Sequence, residues 1–398
     1  RDFDIIKDKI FKFRIFLKQH PGQYKKTVDG IWVQEITTAY QNEIQSGKTK
    51  TRETSDDSLK KFIATKKSNL RDYADACFRY LRYTGLISIE HRSRKLSFFS
   101  DKLKEVDYIL TTVDRAPVFV TDEQSYKNHL YSATQPQLYV DIKANLIDTV
   151  MRVGSFSKRE LQDQTIDELK DLRDQIIQDR KDAVINAQVA EIKSYSLYSE
   201  IIDTYNEILS DDLYDAPLML EYNTWRAMTM LDGGNIKGNL KFDDIGQPLS
   251  TAQGNMPDIE CDYDDFVLSV EVTMQQGQRQ YETEGEPVAR HYGKMKQRTG
   301  KDAYCLFIAP KINSATLAHF YALNQMNISY YGGKSKIVPL ELEQFMKLVD
   351  TSYNHSSQPV PRDIRNFLDA AVSKVKVVEN ENGWYEQIQQ CVSQWLVS

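Results

Sequence analysis

The run Phe266-Val267-Leu268-Ser269-Val270-Glu271-Val272-Thr273 limits the fold more than any other segment of this chain. It is mostly β-branched, aliphatic or aromatic and lacks polar alternation, which predicts a central strand buried on both faces. A carboxylate near the end of such a strand is an anomaly, because a lone buried charge is costly unless something neutralises it. A bound cation is the simplest remedy. Just upstream, Pro257-Asp258-Ile259-Glu260-Cys261-Asp262-Tyr263 alternates in the manner of a half-buried strand. Asp258 opens that strand, and Glu271 follows 13 residues later across a hairpin whose turn holds Asp264 and Asp265. Asp262, Asp264 and Asp265 read as turn and surface residues.

The flanking segments supply more carboxylates. A helix from Pro217 carries Leu218, Glu221, Trp225 and Met228 along one side and ends at Asp232-Gly233-Gly234, so Glu221 shares a face with apolar residues. A polar loop with Gly238, Gly246 and Gly254 comes next. A second helix, from about residue 282 to 298, spaces Glu284, Val288, His291 and Met295 by four, three and four. That spacing puts Glu284 and His291 on one face, two turns apart. A strand at 303–310, a helix at 314–326, a strand at 336–339 and an amphipathic helix at 384–396 complete the pattern. Trp32, Trp225, Trp384 and Trp395 are expected in cores.

Composition sets the outer bounds. At 398 residues and 41% hydrophobic, the chain can build two or more cores. No apolar run approaches a bilayer span and no signal peptide is evident, which predicts a soluble, cytoplasmic protein. Cys77, Cys261, Cys305 and Cys391 lie far apart without CxxC spacing, so neither a disulfide framework nor a zinc site is indicated. The start at Arg1, running directly into an amphipathic pattern, reads as a fragment of something longer.

The net charge of −6 conceals segregation. Residues 60–104 hold twelve Lys or Arg against four Asp or Glu, a local +8, while residues 155–212 hold seven against fourteen, a local −7. Within the basic stretch, the pattern predicts one helix capped by Asp57 or Ser58 and a second from Asn69 to Tyr83. Two short strands follow, around His91-Arg92-Ser93-Arg94-Lys95. This order resembles a winged-helix DNA-binding module, with Arg71, Arg79, Arg82, Arg92, Arg94 and Lys95 as the candidate contacts to double-stranded DNA. The expected division is a recognition region at 1–106, winged-helix-like at about 58–100, and a second domain at 107–398. The latter comprises a helical layer at 140–212, a core at 213–340 that holds the acids, and C-terminal helices at 341–398.

Helix, strand, strand, helix, strand is the core order of the PD-(D/E)xK nuclease superfamily, which the chain resembles. The expected fold class is therefore multidomain, α plus α/β, with a mixed central sheet. That resemblance implies a Mg²⁺ site held by Asp258, Glu271 and the carbonyl of Val272, with Glu284 as a further ligand. The ion would activate water and stabilise the leaving oxygen. The motif lysine is missing: Thr273 stands in its place, and His291, Lys294 and Lys296 are candidates to compensate. The string Pro257-Asp258, Glu271-Val272-Thr273, Arg279-Gln280, Glu284-Gly285-Glu286 and Arg290-His291-Tyr292, with Glu221 and Trp225-Arg226-Ala227 upstream, is similar to the AlwI-type restriction endonucleases, nearest to large nicking subunits of the BstNBI kind. The similarity spans residues 217–310, and more weakly the whole chain. It implies a type IIS enzyme that cuts outside a short asymmetric site such as GAGTC, nicks one strand alone, and works with a smaller catalytic subunit for double-strand breaks. It also places Glu221 among the catalytic residues. The competing reading is a non-enzymatic winged-helix regulator with a ligand-binding C-terminal domain.

Overall fold

In a computed structural model, residues 24–50, 58–89, 96–114, 122–132, 137–210, 213, 215–231, 233–356 and 358–396 are described. They divide into two compact units, Arg1–Leu81 and Arg82–Ser398. The first is helical: Tyr24–Ala39, Gln41–Gln45 and most of the helix Leu59–Tyr83. Ile36 and Phe62 are buried, Tyr40 meets Phe62 edge-on at 5.8 Å, and Lys66 lies 4.4 Å from the centroid of the Tyr40 ring. Trp32, expected in a core, is 38% exposed.

Leu59–Tyr83 is one uninterrupted helix, whereas the sequence pattern predicts two. Ser58 begins it as expected, its hydroxyl accepting from the Lys61 N–H at 3.3 Å. Nothing in Lys66-Lys67-Ser68-Asn69 breaks it, since the segment contains neither Gly nor Pro and two of its four residues are good helix formers. The helix ends at Gly85, whose φ of +66° gives the left-handed cap the sequence implies. The helix, turn, helix order is thus absent from described residues 58–89. Two strands, β1 (Ile87–Ile89) and β2 (Leu96–Phe98), pair antiparallel as predicted. The basic turn between them, with Arg92, Arg94 and Lys95, lies outside the described residues.

The second unit is organised around a five-stranded mixed sheet. Its strands are β3 (Asn235–Gly238), β6 (Ile259–Asp262), β7 (Phe266–Val272), β8 (Asp302–Ala309) and β9 (Ile337–Glu341), in that spatial order. A small hairpin, β4 (Lys241–Phe242) and β5 (Pro248–Ser250), fills part of the loop after β3. β3, β4 and β5 fall where a loop is expected from sequence; each is four residues or fewer, too short for alternation to register. β7 and β8 are parallel and almost fully buried, which explains their continuous apolar runs. β6 is buried on alternate residues and pairs antiparallel with β7, Ile259 facing Val270. Pro339 is tolerated because β9 is an edge strand.

Helices cover this sheet. Ala216–Leu231 is buried along nearly its whole length, and Gln278–Thr299 connects β7 to β8. Gly293 lets the latter helix approach its neighbour: a Cβ there would stand 2.9 Å from the Tyr331 Cα. The acidic helical layer, Ile166–Lys193 and Tyr198–Leu209, packs against Ala216–Leu231. Its N-terminal end joins a smaller apolar cluster of Leu146, Ile147, Val150, Leu161 and Leu169. Trp225, Trp384 and Trp395 are buried in the main core.

A polar network locks the N-terminal end of β8. Asp302 accepts from Lys336 at 2.6 Å, Arg365 at 3.0 Å and the Tyr304 hydroxyl at 3.1 Å. Burial opposes its ionisation, but those hydrogen bonds and the charges of Lys336 and Arg365 outweigh it and hold its carboxyl below the usual range. A depressed carboxylate contributes stability above its unfolded pKa and loses it as the pH falls through the folded one. Asp302→Asn should therefore cost about 1–2 kcal/mol near neutrality, allowing for partial exposure, and the gap should narrow progressively as the pH falls below about 4. Urea unfolding of both proteins at pH 7 and pH 3.5 measures this.

Candidate active site

The hairpin of β6 and β7 determines where two acids sit. Ile259 pairs with Val270, so the next step along the register sets Asp258 opposite Glu271. The Asp258 carbonyl accepts from the Asn239 N–H at 2.9 Å, and its Oδ2 accepts from the Val272 N–H at 2.7 Å. Asp258 is thereby fixed at both main chain and side chain. Glu271 is 6% exposed, and its Oε1 lies 2.9 Å from His291 Nδ1.

The Gln278–Thr299 helix delivers Glu284 and His291 from one face, as their spacing predicts. Glu284 Oε1 accepts from the Thr273 hydroxyl at 2.8 Å. Thr273 therefore does hold a partner at the position where the lysine was expected, but it holds an acid with a neutral hydroxyl. Glu221, on the buried Ala216–Leu231 helix, accepts from the Ala252 N–H at 2.7 Å. Gln280, part of the string quoted above, is a structural staple: its amide donates to the carbonyls of Gln275 and Lys311 and accepts from the Asn313 N–H.

Electrostatics links the acids into one cluster. Burial pushes the Asp258 carboxyl well up, and the charges of Glu271 and Glu284 push further. Glu271 is raised likewise, by burial first and then by Glu284 and Glu221. Glu221 is pushed up to about 9 by burial and by Asp258. His291 is lowered to about 4, by burial and then by the charges of Arg290 and Lys294. The Nε2 of His291 is buried with no hydrogen-bond partner.

Of the other cations near this helix, Lys296 donates to the Gly332 carbonyl at 2.8 Å and Arg298 to Glu260 at 2.5 Å. Lys294 is exposed. Arg290 was passed over in the sequence as a site residue, although it adjoins His291; it reaches Asn255, three residues before Asp258, at 2.5 Å. Of the candidate DNA contacts, Arg79 is exposed on its helix. Arg82 is buried, with its guanidinium donating to the Pro248 carbonyl, so it is committed to packing within its own unit.

Among the described residues, no three His, Cys, Asp or Glu side chains form a ready-made metal cage. Each acid is held by a protein donor. The chemistry of the set nevertheless fits a hard divalent cation: four mutually repelling carboxylates, Glu221 and Glu271 buried and Asp258 and Glu284 half-buried, with a neutral threonine where the motif has lysine. Relieving that repulsion has a measurable consequence. Asp258→Asn keeps an acceptor for the Val272 N–H and removes a half-buried charge beside Glu271. Without added metal it should raise the melting temperature by about 2–4 °C, corresponding to about 1 kcal/mol. Calorimetry in EDTA checks this, and a lower melting temperature would contradict it.

Residues 2–348, well over half the chain, match the family described as AlwI restriction endonuclease. Among solved structures, the small subunit (R.BspD6I2) of the heterodimeric restriction endonuclease R.BspD6I is 25% identical over 50% of this chain and 99% of its own, with a TM-score of 0.42, too loose to support a fold argument. No curated protein matches the chain. This chain therefore belongs to the AlwI restriction endonuclease family, whose members cleave DNA.

Proposed function

We propose that this chain hydrolyses phosphodiester bonds in double-stranded DNA at a Mg²⁺ site of the PD-(D/E)xK type held by Asp258 and Glu271, with Glu284 and the Val272 carbonyl as further donors. The observation that carries the proposal is the cluster itself: Asp258 and Glu271 at one end of β6 and β7, each disfavoured in its charged form by neighbouring carboxylates among Glu221, Glu271 and Glu284, with His291 bonded to Glu271. Mg²⁺ bound there would lower the pKa of a water and offset charge on the leaving oxygen.

The side chains divide the remaining work. With Glu271 ionised, its bond to His291 places the imidazole proton on Nδ1 and leaves the Nε2 lone pair free. Nε2 then accepts the proton of the attacking water. The water oxygen bonds to phosphorus, the bond from phosphorus to the leaving sugar oxygen breaks, and that oxygen takes a proton from solvent. Thr273 holds Glu284 in place, and the Ala252 N–H does the same for Glu221. Membership of a restriction endonuclease family leaves no specific observation in favour of the non-enzymatic regulator.

The finer assignment rests on the sequence similarity at 217–310: a type IIS enzyme, cutting outside a short asymmetric site such as GAGTC, acting as the large subunit that nicks one strand and completes a double-strand break with a smaller partner. Residues 1–106 are proposed as the DNA-recognition region and 107–398 as the cleavage domain. Arg71, Arg79, Arg92, Arg94 and Lys95 are kept as phosphate contacts, and Arg82 is omitted because its guanidinium is engaged.

Supercoiled plasmid incubated with the protein and Mg²⁺ tests the reading. Open-circle product should form first, and Asp258→Ala and Glu271→Ala should each lower its rate by at least about 100-fold. Equal rates for all three proteins would sink the assignment, and linear product without an open-circle stage would sink the nicking part.

A further inference from the structure

Among the described residues, one cation near the acids has its ion pair with a residue outside the four. Arg290 precedes His291 on the Gln278–Thr299 helix, and its side chain is 21% exposed. Its Nε donates to both oxygens of Glu286 at 3.2 Å, and one terminal nitrogen donates to Asn255 Oδ1 at 2.5 Å. Asn255 has a φ of +72°, a left-handed conformation that asparagine tolerates better than most residues. It sits in the loop that leads into Asp258. The guanidinium thus bridges the helix bearing Glu284 and His291 to the segment that delivers Asp258.

A guanidinium carries five N–H donors. The second terminal nitrogen of Arg290 has no partner among the described residues. The other cations considered for the vacant charge are less suited: Lys296 is bonded to a carbonyl, Arg298 to Glu260, and Lys294 is exposed.

We propose that Arg290 supplies the positive charge of the missing motif lysine, presenting its unused N–H edge to the scissile phosphate and stabilising the charge that gathers on the non-bridging oxygens as water attacks. Planar paired donors suit phosphate geometry, which a neutral threonine at position 273 cannot match. Asn255 and Glu286 hold the fork in one orientation, so less freedom is lost when the phosphate arrives. This inference rests on the nuclease reading of Asp258 and Glu271.

The test measures cleavage of supercoiled plasmid under single-turnover conditions, with DNA affinity and melting temperature measured alongside. Arg290→Ala should slow cleavage about 100-fold with affinity and melting temperature nearly unchanged. Arg290→Lys should recover at least about a tenth of the wild-type rate, and added methylguanidinium should speed Arg290→Ala but not the wild type. Asn255→Ala removes the same bridge yet leaves the charge, so it should lose no more than about 5-fold. Cleavage by Arg290→Ala within about 5-fold of wild type, or a loss in Asn255→Ala as deep as in Arg290→Ala, would overturn the proposal. Should Arg290→Ala fail to fold, Arg290→Gln serves the same comparison. If the wild type fails to cleave, or Asp258→Ala cleaves equally well, the nuclease reading fails and this inference falls with it; loss of cleavage in Asp258→Ala but not in Arg290→Ala would condemn the arginine alone.

Discussion

Like charges confined where water cannot screen them govern the architecture of the second unit. Glu221 and Glu271 are buried, Asp258 is half-buried, and the charge on one raises the cost of ionising the next. In the interior an effective dielectric constant far below that of water makes such repulsion several-fold larger than at the surface. The surrounding fold holds the acids there all the same. β7 and β8 form a parallel pair buried on both faces, the antiparallel β6 locks Asp258 opposite Glu271, and two covering helices bring Glu221 and Glu284. Stability stored in apolar burial is thus set against an unfavourable polar cluster, a pattern expected where a site must be ready for a charge that the chain itself does not contain.

Local donors keep the cluster ordered. Amide groups of Val272 and Ala252, the Thr273 hydroxyl and the His291 ring each bind one acid. Only the His291 interaction offers a partner that can itself become charged, and burial disfavours that form. The acids therefore keep their positions while their mutual repulsion stays uncompensated by charge.

Much of this was legible in the sequence, for reasons that differ by residue. Glu271 stood out because a central strand has a recognisable composition, and Asp258 because alternation marked the preceding strand. Glu284 and His291 share a face by helical periodicity alone. Other features depend on contacts far apart in the chain. The Ala252 amide that holds Glu221 lies 31 residues away and the Asn255 that grips Arg290 lies 35 away, in a loop without periodicity. β3 joins the sheet through its pairing with β6, which four residues of sequence do not announce. The break expected near Asn69 failed because a polar stretch without Gly or Pro continues a helix as readily as it ends one. The family similarity pointed to the same acids, but the hydroxyl of Thr273 as an anchor for Glu284 came from the structure alone.

The central claim is that this acidic cluster exists to hold a divalent cation. Diffraction from crystals grown with Mn²⁺ in place of Mg²⁺, collected at the manganese absorption edge, tests it most directly. An anomalous peak is expected within bonding distance of carboxylate oxygens of both Asp258 and Glu271. A fully ordered site with no peak there, at Mn²⁺ concentrations that support DNA cleavage, would contradict it.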